Sequence, residues 1–264
     1  MRNFRYKSVL IILLLFASFG CETLLTEEPR DIVSPSNFFN SAAEVKSAVN
    51  GLYDLSHNNS LHKKIGLDRF YENGADVIGP NREFGQVEAI QSYTLDEGNI
   101  SAISQGGGAP LTWQDLYQAI QNANIILENL EDNPAIREED RNQFIGEALF
   151  MRSYSYYHLT NLWGNVPYYR EVLPIEEIRS LGRTDKTLIQ NEILVDFQQA
   201  QDLLPDSYPD SEQGRVNKWT VATVMTKLYL IQQKWQEARD KALEIINESP
   251  HRLLDDYASV FDPN

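Results

Sequence analysis

Residues 138–162 carry apolar side chains on two faces at helical spacing, and this double stripe restricts the fold more than any other feature of the chain. One stripe is Phe144, Ala148, Met151, Ser155, Leu159 and Leu162; the other is Phe150, Tyr154, Tyr157 and Asn161. A helix with a single apolar face can lie on a surface. One with two must be packed from both sides, as in stacks of paired helices. The tail Trp163-Gly-Asn-Val-Pro167 supplies the Gly and Pro that stop it. The same periodicity predicts further helices over 41–56, 112–131, 185–204, 218–233 and 235–248. The first opens on a capping box, Ser41-Ala-Ala-Glu44, and the second on Thr112-Trp-Gln-Asp115. Alternation of the kind a half-buried strand needs is missing, so the chain reads as all-α.

The helical pairs follow a repeat-like register. Tyr229 precedes Ala238 by nine residues and Pro250 follows Ala238 by twelve, while Phe197, Ala200 and Pro205 close the preceding unit. These offsets match the tetratricopeptide repeat of about 34 residues. Small Ala238 lets two helices approach, and Tyr229 and Trp235 are expected to fill the seam. The expected fold is therefore tetratricopeptide-like helical pairs with long irregular loop insertions. The chief insertion is 57–110, rich in Gly, Asn and Asp turn signals, and a loop of that length is usually functional.

The N-terminus reads as a targeting segment. Arg2, Arg5 and Lys7 precede an apolar run, Val9 to Phe19, and Gly20 then precedes Cys21, the chain's one cysteine. The run is shorter than the roughly 20 residues a spanning helix needs. Its small residue followed by Cys resembles the lipobox of bacterial lipoproteins, although Ser18 stands where the strictest form has Leu. Cys21 is thus the expected lipid-attachment site, anchored by acyl chains such as palmitate. The expected layout is signal peptide 1–20, acidic tether 21–36 and a helical domain 37–264. Acids close behind the cysteine resemble a surface-export signal.

Charge and motifs exclude several function classes. The formal charge is −15, and −18 once the basic leader is set aside, so a nucleic-acid partner is not expected. With a single cysteine there is no internal disulfide. His57, His62, His158 and His251 lack metal-ligand spacing and read as surface or interface residues. Asp68, Glu72 and Asp76 are spaced by four but lack an EF-hand frame, so neither metal nor cofactor is expected. Glu138-Glu139-Asp140 suits a helix start and Asp255-Asp256 a polar connection, which leaves no catalytic carboxylate pair. Nucleophile and phosphate-loop motifs are missing too, and the chain is not read as an enzyme. Trp113, Tyr117, Tyr154, Tyr157, Tyr229 and Trp235 fall on helix stripes and read as core. Phe70, Tyr71, Phe84 and Tyr93 fall in irregular sequence. The candidate ligand contacts there are Tyr71, Asn73, Asp76, Asn81 and Arg82, rings and polar groups of the kind that hold a sugar.

Several motifs in order carry a family likeness. They are Asn37-Phe-Phe39, Ala48-Val-Asn-Gly-Leu-Tyr53, Trp113…Tyr117…Ile120…Ala123-Asn124, Gly146-Glu-Ala-Leu-Phe-Met-Arg152-Ser-Tyr154, Leu162-Trp-Gly-Asn-Val-Pro167 and Gly214-Arg215-Val-Asn-Lys218. From Cys21 onward the chain resembles the N-terminal part of SusD/RagB-family nutrient-uptake lipoproteins. The resemblance implies a surface-exposed, lipid-anchored outer-membrane protein. It also implies a SusC-like TonB-dependent transporter beneath it as partner, and an oligosaccharide or peptide nutrient as ligand. Members continue beyond Phe261-Asp-Pro-Asn264. The chain therefore reads as an N-terminal portion, with weak or absent glycan binding by itself and better preserved transporter contact. The alternative reading is a tetratricopeptide-like envelope scaffold without a small ligand.

Overall fold

The double-striped helix is enclosed as its sequence requires. The computed structural model describes residues 38–58, 71, 75, 92–94, 96 and 109–261, the side chains of 55–58 and 109–112 excepted. Seven α-helices lie among the described residues: α1 Ala42–Asn58, α2 Ala109–Leu130, α3 Glu138–Trp163, α4 Ile175–Ser180, α5 Lys186–Leu203, α6 Lys218–Ile231 and α7 Trp235–Glu248. Helix α3 packs against α2 and α5; α1 lies on α2 and α3; α6 pairs with α7 and rests on α5. Phe144, Ala148, Met151, Ser155 and Leu159 from one stripe are buried, as are Phe150 and Tyr157 from the other. The described part is all-α and tetratricopeptide-like in its pairing, with only an isolated bridge between Val166 and Thr184 outside the helices.

Each boundary has a local cause. Ser41 Oγ accepts from Glu44 N at 3.3 Å, and Glu44 reaches back to Asn40 N at 3.0 Å, one residue beyond the usual capping-box donor. Asp185 caps α5 through Thr187 N and Leu188 N, and Asn217 caps α6 through Trp219 N and Thr220 N. Helix α3 has no side-chain cap; Glu138, Glu139 and Asp140 in its first turn favour the positive helix end instead. It stops at Gly164, whose φ of +71° suits glycine and whose N–H bonds Thr160 O at 3.1 Å. The α2 start lies one turn before the expected Thr112, at Ala109. The short α4 was not expected, because six residues are too few to show a period.

Two expectations are corrected. Trp235 is 63% exposed and does not fill the α6–α7 seam. As the first residue of α7, its Cβ is tilted toward the N-terminal turn and away from the seam. His158 is buried, its ring edge-on to Tyr154 at 4.3 Å and to Tyr157 at 5.0 Å, rather than a surface residue. His251 is exposed as expected, while the side chains of His57 and His62 lie outside the described residues.

Two buried polar clusters tie the helices together. Arg152 donates to Asp196 Oδ2 at 2.7 and 3.2 Å, to Asn124 Oδ1 at 2.9 Å and to Arg170 O at 3.0 Å. This links α3 to α2, to α5 and to the segment after α3. Glu147, fully buried, accepts from Tyr53 OH at 2.5 Å, Gln143 Nε2 at 2.9 Å and Arg215 Nη1 at 2.7 Å. A buried carboxylate is tolerated when so paired. Burial and the adjoining carboxylate hold the Tyr53 phenol in its neutral, donating form.

Candidate functional site

After Gly164 the chain runs back extended across α2 and α3, and an extended segment leaves backbone groups that must be paired. Side chains pair them. Tyr117 OH donates to Pro167 O at 2.7 Å and Asn124 Nδ2 to Glu171 O at 3.0 Å. Tyr156 OH donates to Tyr169 O at 2.9 Å and accepts from Tyr169 N at 3.0 Å. The segment therefore sits as a fixed floor beside α2.

Between this floor, α2 and α4 lies a groove of about 620 Å³. One wall is α2, where Trp113 and Tyr117 are one turn apart with ring centroids at 4.9 Å. Trp163 meets Trp113 edge-on at 5.3 Å, and Tyr169 in the floor stacks near Tyr117 at 6.2 Å and 16°. Gln114, Gln118 and Gln121 line the same wall at helical spacing, while Ile175 and Ile178 of α4 form the opposite rim. The Gln121 Oε1 is buried and has no hydrogen-bond partner among the described residues. Burial raises the Tyr117 phenol pKa, so its proton stays on the bond to Pro167.

Ring faces and amides together suit a ligand with one apolar face and many hydroxyls. The described lining holds rings, aliphatic groups and amides, with no carboxylate, imidazole or thiol. Among the described residues, no three His, Cys, Asp or Glu side chains gather as a metal site.

Of the residues singled out in sequence, Tyr71 alone among the ligand candidates is described. It is 43% exposed, with its hydroxyl 3.1 Å from His158 Nδ1, and burial raises its pKa. Asn73, Asp76, Asn81, Arg82 and Cys21 lie outside the described residues, as do Asp68 and Glu72. Trp113 and Tyr117 were expected as core. They do pack against it, but they are only half-buried and their remaining surface lines the groove. The glutamines escaped notice because a polar i, i+4, i+7 row looks like any solvated helix face; the aromatic pair beside them was the usable signal.

Comparison with known proteins places the chain among relatives. A SusD-like family described as starch-binding and associating with the outer membrane matches residues 25–230. The SusD-like protein P25 of Formosa agariphila is 44% identical over 256 residues, covering 97% of this chain and 49% of the relative. The SusD-like protein P2 of the same organism is 29% identical over 270 residues, covering 98% and 50%. The chain thus spans about half the length of these relatives. Among solved structures, a laminarin binding SusD-like protein superposes with TM-score 0.71 at 24% identity, over 84% of this chain and 48% of that one. Surface glycan-binding protein A from Bacteroides uniformis gives TM-score 0.71 at 19% identity, over 84% and 50%. At these identities the superpositions speak to the fold.

Proposed function

The chain belongs to the SusD-like family, described as starch-binding and associating with the outer membrane, and on that premise we propose that it serves as a non-enzymatic glycan-binding lipoprotein at the cell surface. In this reading, residues 1–20 direct export, Cys21 carries the lipid, 21–36 form the tether and 37–264 the helical domain. The protein acts as lid partner of a SusC-like TonB-dependent transporter, to which it presents an oligosaccharide. The observation that carries the binding role is the groove of Trp113, Tyr117, Tyr169 and three glutamines, set on a chain of this family. That a structural relative is named as laminarin binding supports laminarin among the ligands to try first. Tyr71, which packs on His158 and does not line the groove, is proposed as a further contact together with Asn73, Asp76, Asn81 and Arg82.

A shallow site of this kind binds weakly, because polar surface must be desolvated and re-paired. The envelope-scaffold reading draws support from aliphatic and aromatic groups left exposed near α7, among them Leu243, Ile246 and Tyr257. One experiment separates the two: the protein is isolated from its native membrane, its partners are identified, and the purified chain is screened against a panel of oligosaccharides. The proposal expects a TonB-dependent transporter in the complex, glycan retention and no hydrolysis. Hydrolysis of any glycan overturns the non-enzymatic assignment; recovery of other envelope proteins with no transporter and no glycan retention favours the scaffold.

A further inference from the structure

A second cavity of about 360 Å³ opens where the end of α3, the start of α5 and the turn between α6 and α7 meet. Its chemistry is unlike that of the aromatic groove. Lys186 and Lys234 line it with Asn161, Gln190, Asn191 and Gln232; no described lining residue is acidic, and Ile231 is the sole aliphatic one.

In a chain of formal charge −15, lysines without an ion pair around an acid-free cavity stand out. Lys46, Lys218 and Lys241 each meet a carboxylate. Lys186 and Lys234 make no ion pair among the described residues. Asp185 adjoins Lys186 in sequence, but its carboxylate caps α5 through Thr187 N at 2.8 Å and Leu188 N at 3.3 Å.

The amides around the cavity are held and directed. The α6–α7 turn passes through Gln233 at a φ of +59°, with Lys234 N bonded to Tyr229 O at 2.9 Å, so the Lys234 stem is fixed over α5. Asn191 Oδ1 accepts from Lys234 Nζ at 3.1 Å and from Gln232 Nε2 at 3.3 Å. With that oxygen occupied by two donors, the Asn191 NH2 group is the end left for a ligand. Gln190 lines the cavity at only 5% exposure, and beside it the buried Gln232 Oε1 has no hydrogen-bond partner among the described residues. A buried amide oxygen with no partner is a costly arrangement unless something supplies one.

We propose that this cavity binds a small anionic polyol, a sugar acid or a sugar sulfate. The oxyanion lies against the Lys186 and Lys234 ammonium groups, and the hydroxyls pair with Gln190, Asn191 and Gln232. Carboxylate and sulfate ester share this chemistry: each is an oxyanion that accepts from ammonium and amide donors. The volume exceeds what a bare ion fills, and the amide lining asks for hydroxyls. The inference stands apart from the glycan role of the groove, since it concerns different side chains and a different ligand charge.

The test is titration of the full chain, followed by calorimetry or NMR, with glucuronate, glucose 6-sulfate, inorganic sulfate and glucose. One or both sugar anions should bind at least about tenfold tighter than glucose and than inorganic sulfate, and rising salt should weaken that binding. The Lys186→Met, Lys234→Met double variant, confirmed as folded by circular dichroism, should lose about tenfold or more. Gln190→Glu, which sets a carboxylate into the cavity, should produce a similar loss and serves if the double variant does not fold. Equal binding of glucose and the sugar anions, or no binding of either anion, overturns the proposal. So does binding unchanged in the folded variants. Inorganic sulfate binding as tightly as the sugar anions would leave an ion site and contradict the polyol assignment.

Discussion

Burying a guanidinium costs several kcal/mol unless its donors are paired, and the donors of Arg152 reach Asp196, Asn124 and the Arg170 carbonyl. The family motif made Arg152 visible in the sequence, but its partner Asp196 lies 44 residues later on another helix, which no local pattern can reveal. Glu147 is similar: it was part of a quoted motif, yet its bonds to Tyr53 and Arg215 come from 94 and 68 residues away. Removing one member of such a cluster strands the other. Arg152→Met should therefore destabilise the protein by about 3–5 kcal/mol, toward the lower figure because Arg170 still faces Asp196. Chemical denaturation measures this. The Arg152→Met, Asp196→Leu double variant should recover part of the loss, since neither charge is then stranded. A single variant as stable as the parent would mean the cluster contributes nothing net.

At the scale of elements, helix positions were legible because apolar spacing reports burial directly. The α3, α5, α6 and α7 boundaries fall within about two residues of the spans read from periodicity, closer than such readings usually come. The repeat register was legible through Ala238, the one α7 residue that is buried. Trp235 misled because its type suggests core while its position, first in the helix, leaves it outside the seam. Gly146 shows a requirement the motif hid: a Cβ there would stand 2.8 Å from Leu204 Cγ, so α3 and the end of α5 approach over a bare glycine. The α6–α7 seam has the same character. Ala238→Leu should overpack it and lower stability by about 1–3 kcal/mol, read as a shift in the thermal or urea midpoint. An unchanged midpoint would show that the seam has room and that the repeat register is wrong.

For the whole molecule, the sequence pointed to a family and an all-α fold, and family membership and the fold of the described residues agree with it. The groove was not legible, because it depends on the extended segment 165–173 folding back onto α2. That path is set by hydrogen bonds from Tyr117, Asn124 and Tyr156 rather than by any periodicity. Anchoring is a property of the whole chain as well. Among the described residues no helix is long and apolar enough to cross a membrane; the attachment proposed above is through Cys21. Cys21→Ser should abolish incorporation of labelled palmitate, and equal labelling of both forms would refute the lipid site.

The claim that the groove holds glycan is tested most directly by calorimetric titration of the chain with neutral oligosaccharides, the unaltered protein beside Trp113→Ala. Stacking on Trp113 predicts weak, saturable binding that falls about tenfold or more in a folded Trp113→Ala variant. Binding that survives unchanged in a folded Trp113→Ala variant would contradict the account.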